Sequence, residues 1–381
     1  MSLRNQCNKR YAIIMNKNIV SIISIIAILA FVEMIIGNQK TDRASYAHKL
    51  QLQGSYDTKL NDDYDQEYYN LDKSNIIAKR SLPIKFYPVG GPVIAILLAN
   101  RPQDIEEVKL ALRSLVFLRG DSDPEHLAPV LIFNEGDLQE NIIEDIVRST
   151  NRPIAFPFVD FHSFPPGFKA ENEKPEFVVQ GRNPWGYYQM IRFWLTTIWK
   201  HPVINHFETV MRIDSDSCFK EINDYLPNFL ENDLYYHSQY VGVTPSKGLK
   251  YIEGMYDFTI NWVKTMRENS EPENPLFFDY LESSWESEKT IPLYRTNFEL
   301  SRRSFMQRDD VMAFHEAITE KEPFHLFRHR WGDAPIRFLM SAIFMQKRRV
   351  MIERADGYYH KAQYGCTKEQ VEEAMRVNNL L

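Results

Sequence analysis

Between Val210 and Phe219 the chain reads VMRIDSDSCF. An apolar run enters two aspartates one residue apart, Asp214 and Asp216, each followed by serine. On an extended strand alternate residues face the same way, so both carboxylates would project together. Like charges held side by side are unfavourable unless a cation lies beside them. A divalent metal site is therefore one reading, and a solvated Asp/Ser turn is the other. Three further residues carry chemistry of their own. Glu299, in TNFEL, is an acid between Phe298 and Leu300, although an exposed strand residue would look the same. Asp333, in RWGDAP, precedes a long apolar segment, where aspartate also serves well as a helix N-cap. His360, in GYYH, stands among tyrosines, and a lone histidine is more often structural than a metal ligand.

The elements that must position these groups can be read from periodicity. GGPVIAILLAN, Gly90 to Asn100, is a short apolar run with the pattern of a buried strand. DIEEVKLALRSLVFLRG has apolar residues at helical spacing and Gly120 as its stop. APVLIFNEG is a second strand, NIIEDIVRST a helix, and PIAFPFVDF a third strand. Tyr187 to Lys200 is an apolar helix broken by His-Pro, and ETVMRI a central strand that ends at the aspartate pair. This alternation predicts an α/β fold with one mainly parallel central sheet flanked by helices. Ligands of such sheets bind beyond the carboxyl ends of the strands. The position of Asp214 and Asp216 at one such end favours the metal over the turn.

Composition narrows the class. The 45 basic and 51 acidic residues give a net charge of −6 with no dominant basic patch, which argues against a nucleic-acid partner. The aromatic residues, 20 Tyr, 24 Phe and 6 Trp, would suit stacking on sugars, but most are expected in the core. Three cysteines, Cys7, Cys218 and Cys366, are too few for a disulfide framework. Ile19 to Ile36 is an apolar run close to the roughly 20 residues that cross a bilayer. Arg4, Lys9, Arg10 and Lys17 precede it, so the positive-inside rule puts the N-terminus in the cytosol. The expected organisation is a cytosolic tail at 1–18, a transmembrane signal-anchor at 19–36, a polar stem at 37–88 and a lumenal catalytic domain at 89–381. Cys7 would then lie apart from Cys218 and Cys366, which share the other side and could pair.

These motifs, in this order from roughly Val93 to Tyr364, resemble the fungal α-1,2-mannosyltransferases of glycosyltransferase family 15. LLAN followed by ALRSLVFL is similar to that family's opening strand and helix, and RWGDAP is a specific six-residue match. The resemblance implies a GT-A fold and a retaining transfer of mannose from GDP-mannose to mannose-terminated glycans of glycoproteins. It also implies a Golgi type II membrane protein that uses Mn²⁺, with Mg²⁺ as an alternative. Asp214, Asp216 and His360 would be the metal ligands, and Tyr187, Asn100, Arg101 and Asp214 would bind the donor. Glu299 and Asp333 would be catalytic, Glu299 as nucleophile or as electrostatic stabiliser. If Asp216 and His360 share one ion, Cys218 and Cys366 are brought near enough to pair. The family usually has Glu-Pro at its metal site; Asp-Ser-Asp-Ser here departs toward the DxD motif of GT-A enzymes. A transferase using a UDP-sugar and an inactive Golgi-anchored lectin-like protein are the alternatives.

Overall fold

Among the described residues, seven strands build the central sheet. In chain order they are β1 (Gly91–Leu97), β2 (Val130–Phe133), β3 (Ile154–Ala155), β4 (Phe207–Ile213), β6 (Tyr236–Ser238), β9 (Phe298–Arg302) and β10 (Val350–Ile352). They lie side by side as β10-β6-β9-β4-β1-β2-β3. Two short antiparallel ribbons accompany the sheet: β5 (Ser217–Phe219) with β11 (Tyr358–His360), and β7 (Val241–Val243) with β8 (Pro292–Tyr294). The structure is a computed structural model that describes residues 90–118, 127–175, 183–239, 241–244, 251–266, 272–354, 356–360, 366–378 and 380. The expected tail, signal-anchor and stem lie outside those residues, as does Gly120. Among the described residues, no helix is long and apolar enough to cross a membrane.

β4 occupies the middle of the sheet, and all of FETVMRI but Glu208 is buried on either face, as expected where helices cover both sides of a parallel sheet. It pairs in parallel with β1, register Ile94↔Met211, and antiparallel with β9, register Arg212↔Glu299. β9 is the one strand of the seven that runs against the rest. Its first residues therefore reach the same edge as the last residues of β4. That reversal brings Glu299, 87 residues downstream, beside Arg212.

The expected third strand shrinks to two residues, Ile154–Ala155, because Pro157 has no N–H to continue the ladder. Pairing resumes only at the single Asn134↔Phe158 bridge. The expected helix from Tyr187 to Lys200 forms, starting at Gly186, but passes through a π-helical turn at Phe193–Thr197. The helix Asp333–Phe344 is buried along nearly its whole length and packs on β8 and on the helix Pro275–Glu288. A helix apolar all round belongs inside a domain. Its one basic residue, Arg337, is 0% exposed.

Candidate functional site

A cleft of about 1640 Å³ opens beyond the carboxyl ends of β1 and β4. Tyr187, Arg101, Asp214, Asp216, Asp333 and His360 all line it. Sequence separations of more than 250 residues collapse here to one wall, from Arg101 to His360.

β4 stops at Ile213, and the backbone then closes a tight turn in which Ser217 N–H donates to Asp214 O at 3.2 Å. The aspartates thus sit on a turn, not on a continuing strand. The turn and metal readings are not exclusive, because this turn carries both carboxylates to His360. His360 Nε2 is 3.0 Å from Asp216 Oδ1 and 3.8 Å from Asp214 Oδ2. One ligand atom from each of the three residues lies within 4.8 Å of the others.

His360 is delivered by the β5–β11 ribbon, whose register is His360↔Ser217 and Tyr359↔Cys218. Ser217 Oγ and Tyr358 Oη are hydrogen bonded at 2.6 Å, and Tyr358 Oη also reaches Asn297 O at 2.8 Å. Gly357 opens β11 at φ +74, and a Cβ there would come within 2.5 Å of the Glu221 Cβ, so only glycine fits. Cys218 and Cys366 form a disulfide with a Cα–Cα distance of 5.9 Å. Closing a loop across 148 residues removes unfolded-chain freedom worth about 4–5 kcal/mol on chain-entropy grounds.

The electrostatics favour a cation. Burial pushes the Asp214 carboxyl up, against the opposing pull of Arg212 and His360, with Asp216 adding to the rise. A divalent ion beside it would restore the charged form. In ionised form, Asp214, Asp216, Glu299 and Asp333 exceed the charge of Arg212 and Arg337 by the two units that such an ion supplies. Two carboxylates and an imidazole are also a donor set that suits Mn²⁺.

Three expectations need correction or refinement. Asn100 is not among the cleft-lining residues; β1 ends at Leu97, and the Asn100 amide turns outward to donate to Asp137 O at 2.7 Å. Arg101 does line the cleft, with its Nε on Asp104 Oδ2 at 2.6 Å. Asp333 is the first residue of its helix, Gly332 holds the N-cap position, and the carboxylate faces Arg212 instead. Burial pushes that carboxyl up, but the charge and hydrogen bond of Arg212, with help from Thr296, hold it below the usual range. Glu299 is no exposed strand residue: it is 2% exposed and is not on the cleft wall. Tyr236 Oη donates to its Oε2, and its Oε1 lies 3.5 Å from Arg337 and 3.7 Å from Arg212.

The residues not found from sequence are Arg212 and Arg337, which bind this acidic set together. The signal was available as an arginine inside an otherwise apolar strand and another inside an apolar helix. The π-helical turn has a part in holding Arg337. Its Trp194 carbonyl accepts from Arg337 Nη2 at 2.6 Å and from Trp199 Nε1 at 3.1 Å.

Solved structures share this arrangement of elements. Ktr4p, a mannosyltransferase of Saccharomyces cerevisiae, superposes with a TM-score of 0.60 at 20% identity, covering 74% of this chain and 72% of its own. Core-mannan synthase A of Aspergillus fumigatus, in an Mn/GDP form, gives 0.58 at 18% identity, covering 72% and 76%. At such identities the likeness defines a fold class, a mainly parallel α/β sheet flanked by helices. A family model described as Glycolipid 2-alpha-mannosyltransferase matches residues 126–379, well over half of the chain, and the chain belongs to that family. Among curated relatives, probable mannosyltransferase KTR4 of Saccharomyces cerevisiae is 26% identical over 47% of this chain and 39% of its own length. Glycolipid 2-alpha-mannosyltransferase 2 of Candida albicans is 21% identical over 51% and 41%. The matched stretch thus spans about two fifths of these relatives.

Proposed function

We propose that the chain is a metal-dependent GT-A glycosyltransferase, a retaining α-1,2-mannosyltransferase that moves mannose from GDP-mannose to mannose-terminated glycans of glycoproteins. The observation that carries this is the Asp214–Asp216–His360 cluster at the strand-end cleft of a chain in this family. The Mn/GDP form of the Aspergillus fumigatus relative adds support. Asp214, Asp216 and His360 would hold Mn²⁺, which as a Lewis acid neutralises the charge of a departing diphosphate. The nitrogen ligand is the reason to prefer Mn²⁺ over Mg²⁺.

The remaining groups divide the work. Tyr187 and Arg101 line the cleft and are assigned to the donor, whereas Asn100 is not. Asp333, held ionised and engaged by Arg212, is a poor proton acceptor and is assigned to orienting a sugar hydroxyl. Glu299 lies behind the wall with both oxygens in use, so its charge acts on the sugar centre through space rather than by bond formation. Of the two routes open to a retaining enzyme, this supports front-face transfer over a carboxylate nucleophile.

Competition binding tests the nucleotide. With Mn²⁺ present, GDP should displace a fluorescent guanosine-diphosphate probe and UDP should not at the same concentration. Preferential displacement by UDP would assign the chain to UDP-sugar chemistry. Absence of nucleotide binding would leave a lectin-like protein.

The signal-anchor, the lumenal placement and Golgi residence are part of the same proposal, motivated by Ile19 to Ile36 and the basic residues before it. Protease added to sealed microsomes should remove an N-terminal tag and spare the rest. A secreted product trimmed near Gly37 would establish a cleaved signal peptide instead.

A further inference from the structure

Arg212 is 4% exposed and meets carboxylates from three separate elements. Its Nε lies 3.3 Å from Asp214 Oδ1. Its Nη1 lies 2.7 Å from Asp333 Oδ2 and 3.7 Å from Glu299 Oε1. The Trp194 ring covers it, with the guanidinium carbon 4.4 Å from the ring centroid. A planar guanidinium carries five N–H donors in a fixed fork, which lets one cation serve several acids at once. A lysine ammonium is a point charge on a flexible stem and cannot span the same set.

The consequence falls on Asp214. Its Oδ1 is committed to Arg212, so Oδ2 is the oxygen left toward His360, on the side shared with Asp216. We infer that Arg212 is a positioning residue: it selects which Asp214 oxygen is offered to the cation and ties that ligand to the Asp333–Glu299 pair. The inference rests on the metal site proposed above. Arg212 itself carries the wrong charge to bind the ion, so it acts only through Asp214. This gives the effect a sign that simple electrostatics does not share. A positive charge beside a cation site repels the cation, and removing it for charge reasons alone should tighten binding. Removing a positioning partner should weaken it, and groups that orient metal ligands typically contribute about 10–100-fold in affinity.

The test titrates the full chain with Mn²⁺ alone, with free ion followed by electron paramagnetic resonance, for wild type, Arg212→Gln and Arg212→Lys. Thermal unfolding is recorded for each, and Arg212→Lys retains a buried cation should the glutamine variant not fold. Expected is Mn²⁺ binding by wild type and about 10–100-fold weaker binding by both variants, measured at a temperature where each is folded, with a lower unfolding midpoint for Arg212→Gln, which leaves the buried Asp333 and Glu299 carboxylates without this cation. Binding by Arg212→Lys equal to wild type, or tighter binding by Arg212→Gln, overturns the positioning role while leaving the metal site intact. Failure of wild type to bind Mn²⁺ overturns the metal site itself, and the positioning role with it.

Discussion

Asp216→Ala should abolish Mn²⁺-dependent donor binding and lower kcat/KM by about two to three orders of magnitude, in the range seen when electrostatic stabilisation of a developing charge is removed. The expectation follows from how little remains. Asp214 has one oxygen on Arg212, at 3.3 Å, and one facing His360, at 3.8 Å. Without Asp216 the ion would keep a single carboxylate oxygen and an imidazole, too few hard ligands against a mobile diphosphate. Stability should change little, because Asp216 is only partly buried and its contact at 3.0 Å is with His360, a histidine of the same cluster. Nucleotide titration in the presence and absence of Mn²⁺ separates the two effects. Unaltered Mn²⁺-dependent binding by Asp216→Ala would remove this residue from the ligand set.

Glu299→Gln should leave donor affinity nearly unchanged and lower turnover by about two orders of magnitude, the pattern of an interaction made mainly in the transition state. The substitution keeps shape and hydrogen-bonding capacity but deletes a charge shared by two guanidinium groups. It should also destabilise the fold. Arg337 is wholly buried, and removing the acid beside an enclosed cation costs about 3–5 kcal/mol when no other partner compensates. Here the Trp194 carbonyl still accepts from Arg337, so the loss should fall toward the lower end of that range. Kinetics at a temperature where circular dichroism reports a folded protein keep the two consequences apart. Turnover near that of wild type would make Glu299 a purely structural partner of Arg337.

Local pattern carried the sequence as far as local physics reaches. β1, β2, β4 and the helices before and after them follow from apolar periodicity, and the Asp214–Asp216 pair announces itself by the cost of two adjacent charges. His360 needed the family resemblance, since nothing near GYYH distinguishes a ligand from a structural histidine. What the sequence hid is long-range. β9 runs antiparallel, and only that reversal sets Glu299 against Arg212. An exposed and a buried glutamate between Phe298 and Leu300 read alike until the strands on either side are known. The same is true of Asp333, whose N-cap appearance gave way to a partner 121 residues away. Short ribbons such as β5–β11 have too few residues for a periodicity to register, yet that ribbon delivers the histidine. Asn100 adjoins Arg101 in sequence, but past the end of β1 the two side chains diverge, Arg101 to the cleft wall and Asn100 to Asp137 O.

The most direct test of the proposed activity is a donor screen on the full chain with a mannose-terminated acceptor, scored by nucleotide release and by the mass of the acceptor. GDP-mannose should be consumed with Mn²⁺, the acceptor should gain one hexose in α linkage, and both changes should cease when the metal is chelated. Transfer from a UDP-sugar in preference to GDP-mannose, or full transfer in the presence of chelator, would contradict the proposal.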